Sequence, residues 1–256
     1  MISRAKYIYT AMFILNQKLT VLIPSRDEAS VKRSSSADFF PKWAGTWKVG
    51  YPSIFDAVES EVFNPMALKE NKDDDILVLM HDDVNILSSD SVFEYFLSPL
   101  KDKGTGFVGV AGTQYFTPRA VWWEGLNETS PVMRGSLAGT VNHGDSLETM
   151  TRTVFGHGNK TQVVVMDGLI LAATYRTWKS IRLAKPKEFS GNWDFYDMYY
   201  TFQAHMKGLK NYVMPLEVLH KSPGDTRGKE GWHKNKEAFL SKYRKHLPQS
   251  TISCNQ

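Results

Sequence analysis

Cysteine is almost missing from this 256-residue sequence, which contains only Cys254. A single cysteine excludes an intramolecular disulfide framework and a zinc site built from several thiolates. Long apolar runs are missing too. The apolar residues of positions 1–16 are too interrupted to cross a bilayer, and no small-residue cleavage site follows them. We therefore expect a cytoplasmic protein without a transmembrane segment, in which residues 1–18 form an N-terminal extension packed on the main domain.

Internal repeats and low-complexity segments are also missing, and the composition is not extreme. The sequence has 42% hydrophobic and 23% charged residues, which is ordinary for a soluble protein that can bury a sizeable core. Aromatic residues are plentiful, at 12%. The adjacent pair Trp122 and Trp123 is of the kind that lines sugar sites, although aromatic rings also fill cores.

Positive charge is concentrated near the C-terminal end of the chain. Residues 221–245 contain eight basic and three acidic residues, so this segment has a net charge of +5 and the remainder −1. A basic segment favours an anionic partner, such as a diphosphate, a nucleic acid or a membrane surface. Basic and aromatic residues are interleaved only at 232–234, so we expect no nucleic-acid partner, while peripheral membrane contact stays open.

Short buried-strand patterns alternate with helical patterns along most of the chain. The predicted strands are 19–24, 76–80, 107–110, 163–166 and 212–219, and the predicted helices are 53–68, 91–100 and 194–207. Residues 113–160 show no sustained period and are predicted to be loop-rich. The alternation predicts an α/β fold with a mostly parallel central sheet flanked by helices. We place this domain at residues 19–235 and a basic tail at 236–256.

The most informative segment is 76–84, where five apolar residues run directly into His81, Asp82 and Asp83. Such a run is typical of a strand buried on both faces, and ligands of open α/β sheets bind beyond the carboxyl ends of strands. Carboxylates and an imidazole at that point are oxygen and nitrogen ligands for a divalent metal. An ordinary polar turn is the simpler interpretation of two adjacent aspartates. The choice between a polar turn and a metal site therefore depends on other segments of the chain.

Three other groups of polar residues stand at the ends of predicted elements. Asp194 fits the N-cap of a helix, and Asp197, at its third helical position, could take a proton from an attacking hydroxyl. His220 ends the last predicted strand, just before the basic segment, and is either structural or a metal ligand. Asp167 and Gly168 follow another strand, and they form either a plain turn or a contact to a hydroxyl-rich acceptor.

Five short segments, taken in their order along the chain, resemble those of a nucleotide-sugar glycosyltransferase of the GT-A fold, similar to the family 2 enzymes. The resemblance is carried by five segments: Ile-Pro-Ser-Arg-Asp-Glu at 23–28, Leu-Met-His-Asp-Asp-Val at 79–84, Val-Met-Asp-Gly-Leu-Ile at 165–170, Phe-Tyr-Asp at 195–197 and Leu-His-Lys-Ser at 219–222. It implies a GT-A type, Rossmann-like domain. The nucleotide-sugar half is implied at residues 19–112 and a loop-rich acceptor half at 113–235.

The resemblance also implies roles for single residues. The D-x-D element, which holds Mn²⁺ or Mg²⁺ against the donor diphosphate, corresponds to residues 81–83. Asp83 is then the direct metal ligand, with His81 and His220 completing the site. Because His81 occupies the place of the first Asp, either His81 or Asp82 takes over its contact. Implied contacts to the donor, for which a UDP-sugar is favoured, are Pro24, Ser25, Glu28, Asp82, Lys221 and Arg227. Implied contacts to the acceptor are Asp167, Gly168, Trp122, Trp123 and Asp194.

Asp197 corresponds to the catalytic base of the resembled enzymes. A departing diphosphate gains negative charge, which a metal and nearby cations stabilise, while one carboxylate takes the proton of the acceptor hydroxyl. Direct displacement with one base predicts inversion at the sugar carbon. Two alternatives stay open: a metal-dependent phosphohydrolase or nuclease that uses Asp82, Asp83 and His220, and a non-catalytic glycan-binding module.

Overall fold

The computed structural model describes residues 17–24, 45–48, 53–126, 131–181, 185–190, 193–222 and 230–252. Ser25, Glu28, Arg227 and most of the predicted N-terminal extension lie outside the described residues. The described strands are β1 Leu19–Leu22, β2 Gly45–Lys48, β3 Ile76–Met80, β4 Val84–Ile86, β5 Thr105–Gly109, β6 Ala111–Thr113, β7 Tyr115–Phe116, β8 Leu137–His143, β9 Thr151–Gly156, β10 Thr161–Val163, β11 Val165–Met166, β12 Ile170–Thr174, β13 Lys210–Val213, β14 Val218–His220 and β15 Gln249–Ser250. The described α-helices are α1 Ile54–Val58, α2 Pro65–Glu70, α3 Asp90–Leu97, α4 Pro131–Gly135, α5 Tyr175–Ile181, α6 Tyr196–Met206 and α7 Glu230–Tyr243.

The central sheet has seven strands in the order β10-β13-β5-β12-β3-β1-β2. Strand β1 is parallel to β2 and β3, and β5 is parallel to β13. Strand β12 is antiparallel to both of its neighbours, β3 and β5, and β10 is antiparallel to β13. The predicted α/β class is confirmed, but the sheet is mixed rather than mostly parallel. The apolar sequence of β12 reflects burial of the strand on both faces. Burial does not indicate whether a strand runs parallel or antiparallel to its neighbours, so the sequence could not predict the direction of β12.

A second sheet has the order β11-β6-β8-β14-β4, with β9 paired to β8. Two of its strands, β8 and β9, lie within 113–160, so the prediction that this stretch is loop-rich is wrong for residues 137–143 and 151–156. Strands β8 and β9 could not be predicted from their polar and glycine-containing sequences, because antiparallel pairing rather than an apolar run stabilises them. The predicted strands 163–166 and 212–219 each divide between the two sheets.

Two of the predicted helices begin or end differently in the structure. Ser53 caps α1 by accepting a hydrogen bond from the Asp56 amide at 3.0 Å, as predicted. The helix predicted to reach residue 68 is interrupted by a π-helical turn at Glu59–Phe63, and a new helix starts at Pro65, which is favoured in a first turn. The N-cap of α6 is Phe195, at φ 70°, so the prediction of Asp194 as the cap is wrong.

Helix α7 continues through residue 235, where the sequence predicts a boundary, and packs against the domain. Phe239 is 1% exposed, and its ring centroid lies 5.3 Å from those of Phe195 and Phe202. Strand β15 then pairs with β7. The predicted basic tail, residues 236–256, thus contacts the rest of the chain through Phe239 and through β15. Among the described residues, no helix has both the length and the apolar character needed to cross a membrane.

Candidate metal centre and neighbouring carboxylates

The ends of strands from both sheets bring the predicted site residues together. Strand β3 runs parallel to β1, so Pro24 and His81 lie at the same edge of the central sheet. Strand β12 is antiparallel to β3, with Ile170 opposite Met80, and this places Asp167 and Gly168 beside His81. The His81 amide donates to the Leu169 carbonyl at 3.1 Å, which fixes this contact.

The second sheet contributes His220 to the same place. Strand β14 is antiparallel to β4, with His220 opposite Val84, so the imidazole reaches the turn that carries Asp83. The Lys221 amide donates to the Asp83 carbonyl at 2.9 Å and holds that turn. His81, Asp83 and His220 each offer a ligand atom, and these atoms lie within 4.8 Å of one another.

The donor atoms of this group fit a divalent cation. His220 Nε2 lies 3.3 Å from Asp83 Oδ2, and His81 Nδ1 lies 3.8 Å from Asp83 Oδ1. Asp83 Oδ1 is buried, and no described group forms a hydrogen bond with it. A buried carboxylate oxygen is normally paired with a hydrogen-bond donor or a cation. Imidazole nitrogens and a carboxylate oxygen together are ligands for first-row divalent metals.

The hydrogen bonds around Tyr196 determine which nitrogen of His81 carries the proton. Tyr196 Oη donates its only proton to the Gly168 carbonyl at 2.7 Å. His81 Nε2, 2.7 Å from the same oxygen, must therefore be a donor, and Nδ1 retains its lone pair facing Asp83. Burial lowers the pKa of His81, and the charge of Asp83 opposes this shift. The neutral ring is the form that binds a metal.

Gly168 also connects this group to Asp197. The Gly168 amide donates to Asp197 Oδ2 at 3.1 Å, and the Met198 amide donates to Oδ1 at 2.8 Å. Burial, followed by the charge of Asp167, raises the pKa of Asp197 to about 7, although the amide hydrogen bonds act in the opposite direction. A carboxyl group with a pKa near neutrality is suited to accept a proton from a substrate.

His143 is a member of the cluster that the sequence analysis missed. It ends β8, which is parallel to β14, and its ring centroid lies 5.3 Å from that of His220. His143 Nδ1 donates to the Ser222 carbonyl at 3.1 Å, so Nε2 keeps its lone pair. Burial is the main cause that lowers the pKa of His143. Its position at a strand end, like those of His81 and His220, was the available signal, but β8 itself was not predicted.

With this geometry established, comparison with known proteins decides the family. The profile of the glycosyltransferase-like family matches residues 64–246. This range includes the candidate metal-ligand group of His81, Asp83 and His220, together with Asp167, Gly168 and Asp197. The chain belongs to the glycosyltransferase-like family. The resemblance to glycosyltransferases found in the sequence is therefore confirmed.

Two solved structures are similar to this glycosyltransferase-like chain at low sequence identity. A197 from STIV has 12% identity and a TM-score of 0.37, and the match covers 80% of this chain and 83% of that one. The glycosyltransferase GlyE of Streptococcus pneumoniae TIGR4 has 11% identity and a TM-score of 0.29, with 94% of this chain and 66% of that one covered. A comparison with curated proteins finds no match.

The residues predicted to contact the acceptor of the glycosyltransferase-like chain differ in accessibility. Trp122 is 3% exposed and packs against Phe155 and Trp123, so its ring has almost no surface with which to contact an acceptor. Trp123 is half-buried. Asp194 is also partly exposed, and its carbonyl accepts a hydrogen bond from the Asn235 side chain at 2.9 Å.

The acidic run before β3 has a structural role. Asp73 pairs with Lys179 at 2.9 Å, and Asp74 pairs with Arg176. The carboxylate of Asp75 accepts hydrogen bonds from the amides of Lys18 and Lys72. These contacts tie β3 to α5 and to the start of β1, at the end of β3 opposite His81.

Proposed function

We propose that this protein transfers a sugar from a nucleotide-diphosphate sugar, with a UDP-sugar favoured, to a hydroxyl group of a glycan or another acceptor. One observation carries the proposal: Gly168 lies between a candidate metal-ligand group and a carboxyl group of near-neutral pKa. Its carbonyl accepts a hydrogen bond from Tyr196, which contacts His81, and its amide donates to Asp197. Transfer from a diphosphate donor needs both functions side by side. Membership of the glycosyltransferase-like family supports the same reaction class.

The metal-ligand group forms the donor side of the proposed site. His81, Asp83 and His220 would hold Mn²⁺ or Mg²⁺, which when bound supplies positive charge to the donor diphosphate. Pro24, Asp82 and Lys221 would contact the donor from the same edge of the sheets. The proposal extends to Ser25, Glu28 and Arg227, which lie outside the described residues.

The carboxylates form the acceptor side. Asp197 would take the proton of the acceptor hydroxyl as its oxygen forms a bond to the anomeric carbon and the bond from that carbon to the diphosphate breaks. Attack from the face opposite the leaving group gives inversion. Asp167, Gly168, Asp194 and Trp123 would position the acceptor. Asp167 also helps to keep the pKa of Asp197 high, which makes the carboxylate a stronger base.

The test is to replace the base and measure transfer and donor binding separately. A panel of UDP-, GDP-, CMP- and dTDP-sugars, with and without Mn²⁺, first identifies the donor by thermal stabilisation of the native state. Asp197→Asn should then lose sugar transfer by about 10²–10⁴-fold while binding the donor as the wild type does. Asp102→Asn, in which an exposed aspartate is changed, is the control and should transfer normally.

Two outcomes would contradict the proposal. Normal turnover by Asp197→Asn would remove the assignment of the base. Release of phosphate or of free sugar by the wild type, with no transfer to any hydroxyl acceptor, would favour the phosphohydrolase alternative. Product analysis by mass spectrometry distinguishes these cases, and the anomeric configuration of the product tests inversion.

A further inference from the structure

We propose that His81 sets the metal specificity of this site, so that it binds Mn²⁺ or Co²⁺, which accept nitrogen ligands, in preference to Mg²⁺. The inference rests on the metal site of the proposed function, but it concerns the ion alone and is testable without a sugar donor. It follows from the tautomer of His81, from the surroundings of His220 and from the small number of carboxylates in the group.

The first step is that His81 can bind a metal through Nδ1. Its Nε2 proton is held by Tyr196 Oη at 2.7 Å, and Tyr196 is itself held by the Gly168 carbonyl. A ligating histidine is usually oriented by such a hydrogen bond from its other nitrogen. The lone pair of Nδ1 faces Asp83 Oδ1 across 3.8 Å, a separation that is too long for a direct hydrogen bond.

The second step is that His220 supplies another nitrogen, beside the other oxygen of the same carboxylate. It is 7% exposed, and its ring lies between those of His81 and His143, with centroid distances of 5.9 and 5.3 Å. Its Nε2 lies 3.3 Å from Asp83 Oδ2. Asp83 therefore has one imidazole nitrogen near each of its oxygens.

The third step is the chemistry of this ligand set. The compact group found among the described residues contains two imidazoles and one carboxylate. Mg²⁺ favours oxygen ligands and gives up its water reluctantly, whereas imidazole favours later divalent ions, with affinity rising from Mn²⁺ to Co²⁺. An Asp at position 81 would exchange one nitrogen ligand for oxygen. The residue at this position therefore decides between the two classes of ion.

The experiment measures ion binding by the full chain without donor. Mn²⁺ binding is followed by electron paramagnetic resonance, and Mg²⁺ is titrated as a competitor. We expect the wild type to favour Mn²⁺ over Mg²⁺ by at least about 10-fold, and His81→Asp to lower this ratio by about 10-fold or more. His157→Asp makes the same substitution at an exposed histidine beyond the far end of β9 and should keep the wild-type ratio.

A second variant tests the orientation of the ring without changing a ligand. Tyr196→Phe removes the acceptor of the His81 Nε2 proton, and we expect it to weaken Mn²⁺ binding by about 10-fold. Circular dichroism confirms that each variant is folded. Equal Mn²⁺-to-Mg²⁺ ratios in the wild type and in His81→Asp would overturn the inference, as would absence of Mn²⁺ binding by the wild type.

The two proposals fail in different ways. Selective Mn²⁺ binding without sugar transfer would remove the proposed function and leave the metal specificity intact. Sugar transfer that Mn²⁺ and Mg²⁺ support equally well, with no effect of position 81 on the ratio of their affinities, would remove the metal specificity and leave the proposed function intact.

Discussion

At the scale of single residues, Asp197 is a titrating group whose protonation affects stability and, under the proposed function, proton transfer. The pKa of Asp197 is raised from 3.8 to about 7 by burial and by the charge of Asp167. The folded state therefore binds more protons than the unfolded state between these pH values, and its stability falls as the pH rises through that window. The same group is a stronger base when deprotonated, so the proposed function accepts a cost in stability above neutrality.

Asp197→Asn removes this titration and should change the pH dependence of stability. Relative to the wild type, the variant should gain about 2–3 kcal/mol in the free energy of unfolding between about pH 5 and pH 8, since one pKa unit is worth about 1.4 kcal/mol. Urea denaturation at the two pH values measures the change. Asp102→Asn is the control. A stability difference from wild type that does not vary with pH would contradict the assigned pKa.

Gly168 is the residue whose lack of a side chain the site requires. A Cβ atom at this position would lie 2.0 Å from Tyr196 Oη and 2.9 Å from Asp197 Cβ. We expect Gly168→Ala to displace both side chains, to cost about 1–3 kcal/mol of stability, and to abolish transfer. Gly135→Ala, where the new Cβ has no neighbour within 4 Å apart from the adjacent residues and the backbone of its own helix, is the matched control for thermal unfolding and activity assays. Equal stability and equal activity of the two variants would show that the contacts of Gly168 with Tyr196 and Asp197 tolerate displacement.

At the scale of elements, Asn211 of β13 holds the place where the chain passes between the two sheets. Its Oδ1 accepts from the Phe107 amide at 3.0 Å, and its Nδ2 donates to the carbonyls of Val164 and Thr201 at 2.9 and 2.8 Å. Val164 separates β10 from β11, and Thr201 belongs to α6, the helix that carries Asp197. One side chain thus positions β5, the crossing point between the sheets and the helix that carries Asp197.

Asn211→Ala should therefore be among the most destabilising single changes in the chain. It leaves three buried backbone groups without this partner, and each such group costs about 1–3 kcal/mol. We expect a loss of at least about 3 kcal/mol in chemical denaturation. Asn64→Ala, at an exposed cap of α2, should cost about 1 kcal/mol or less. Similar losses in the two variants would mean that the crossing point repacks.

Elements with a strong local signal could be predicted from the sequence, and those made by pairing could not. Strand β3 and the turn after it were found because five buried apolar residues run into His81 and Asp83. Strand β8 was missed, and with it His143, because its Gly, Thr and Asn residues gain their regular structure from β6, β9 and β14. The role of Tyr196 was also hidden, since the contact between His81 and Tyr196 joins residues 115 positions apart.

At the scale of the whole molecule, the site is assembled from both sheets. The central sheet provides His81, and its β12 carries Gly168 at the entering end, while the second sheet provides His143 and His220. Helix α6 adds Asp197 against this junction. Because each contribution comes from a different pairing, the geometry of the site depends on the sheets keeping their relative position. An aromatic cluster of Phe195, Phe202, Phe239 and Tyr243 packs α7 against α6 and stabilises the position of α6.

Phe239 tests whether this cluster is part of the cooperative unit. Its ring centroid lies 5.3 Å from Phe195, which directly precedes α6, and 4.9 Å from Tyr243. Phe239→Ala should lower the free energy of unfolding by about 3–5 kcal/mol, because it leaves a cavity in a buried aromatic cluster. Glu237→Ala, exposed on the same helix, should change it by less than about 0.5 kcal/mol. Chemical denaturation followed by both tryptophan fluorescence and far-UV circular dichroism measures the loss and tests cooperativity. Coincident transitions with the predicted loss would place α7 within the domain. A small loss, or an early separate transition, would instead identify residues beyond 235 as a separable tail.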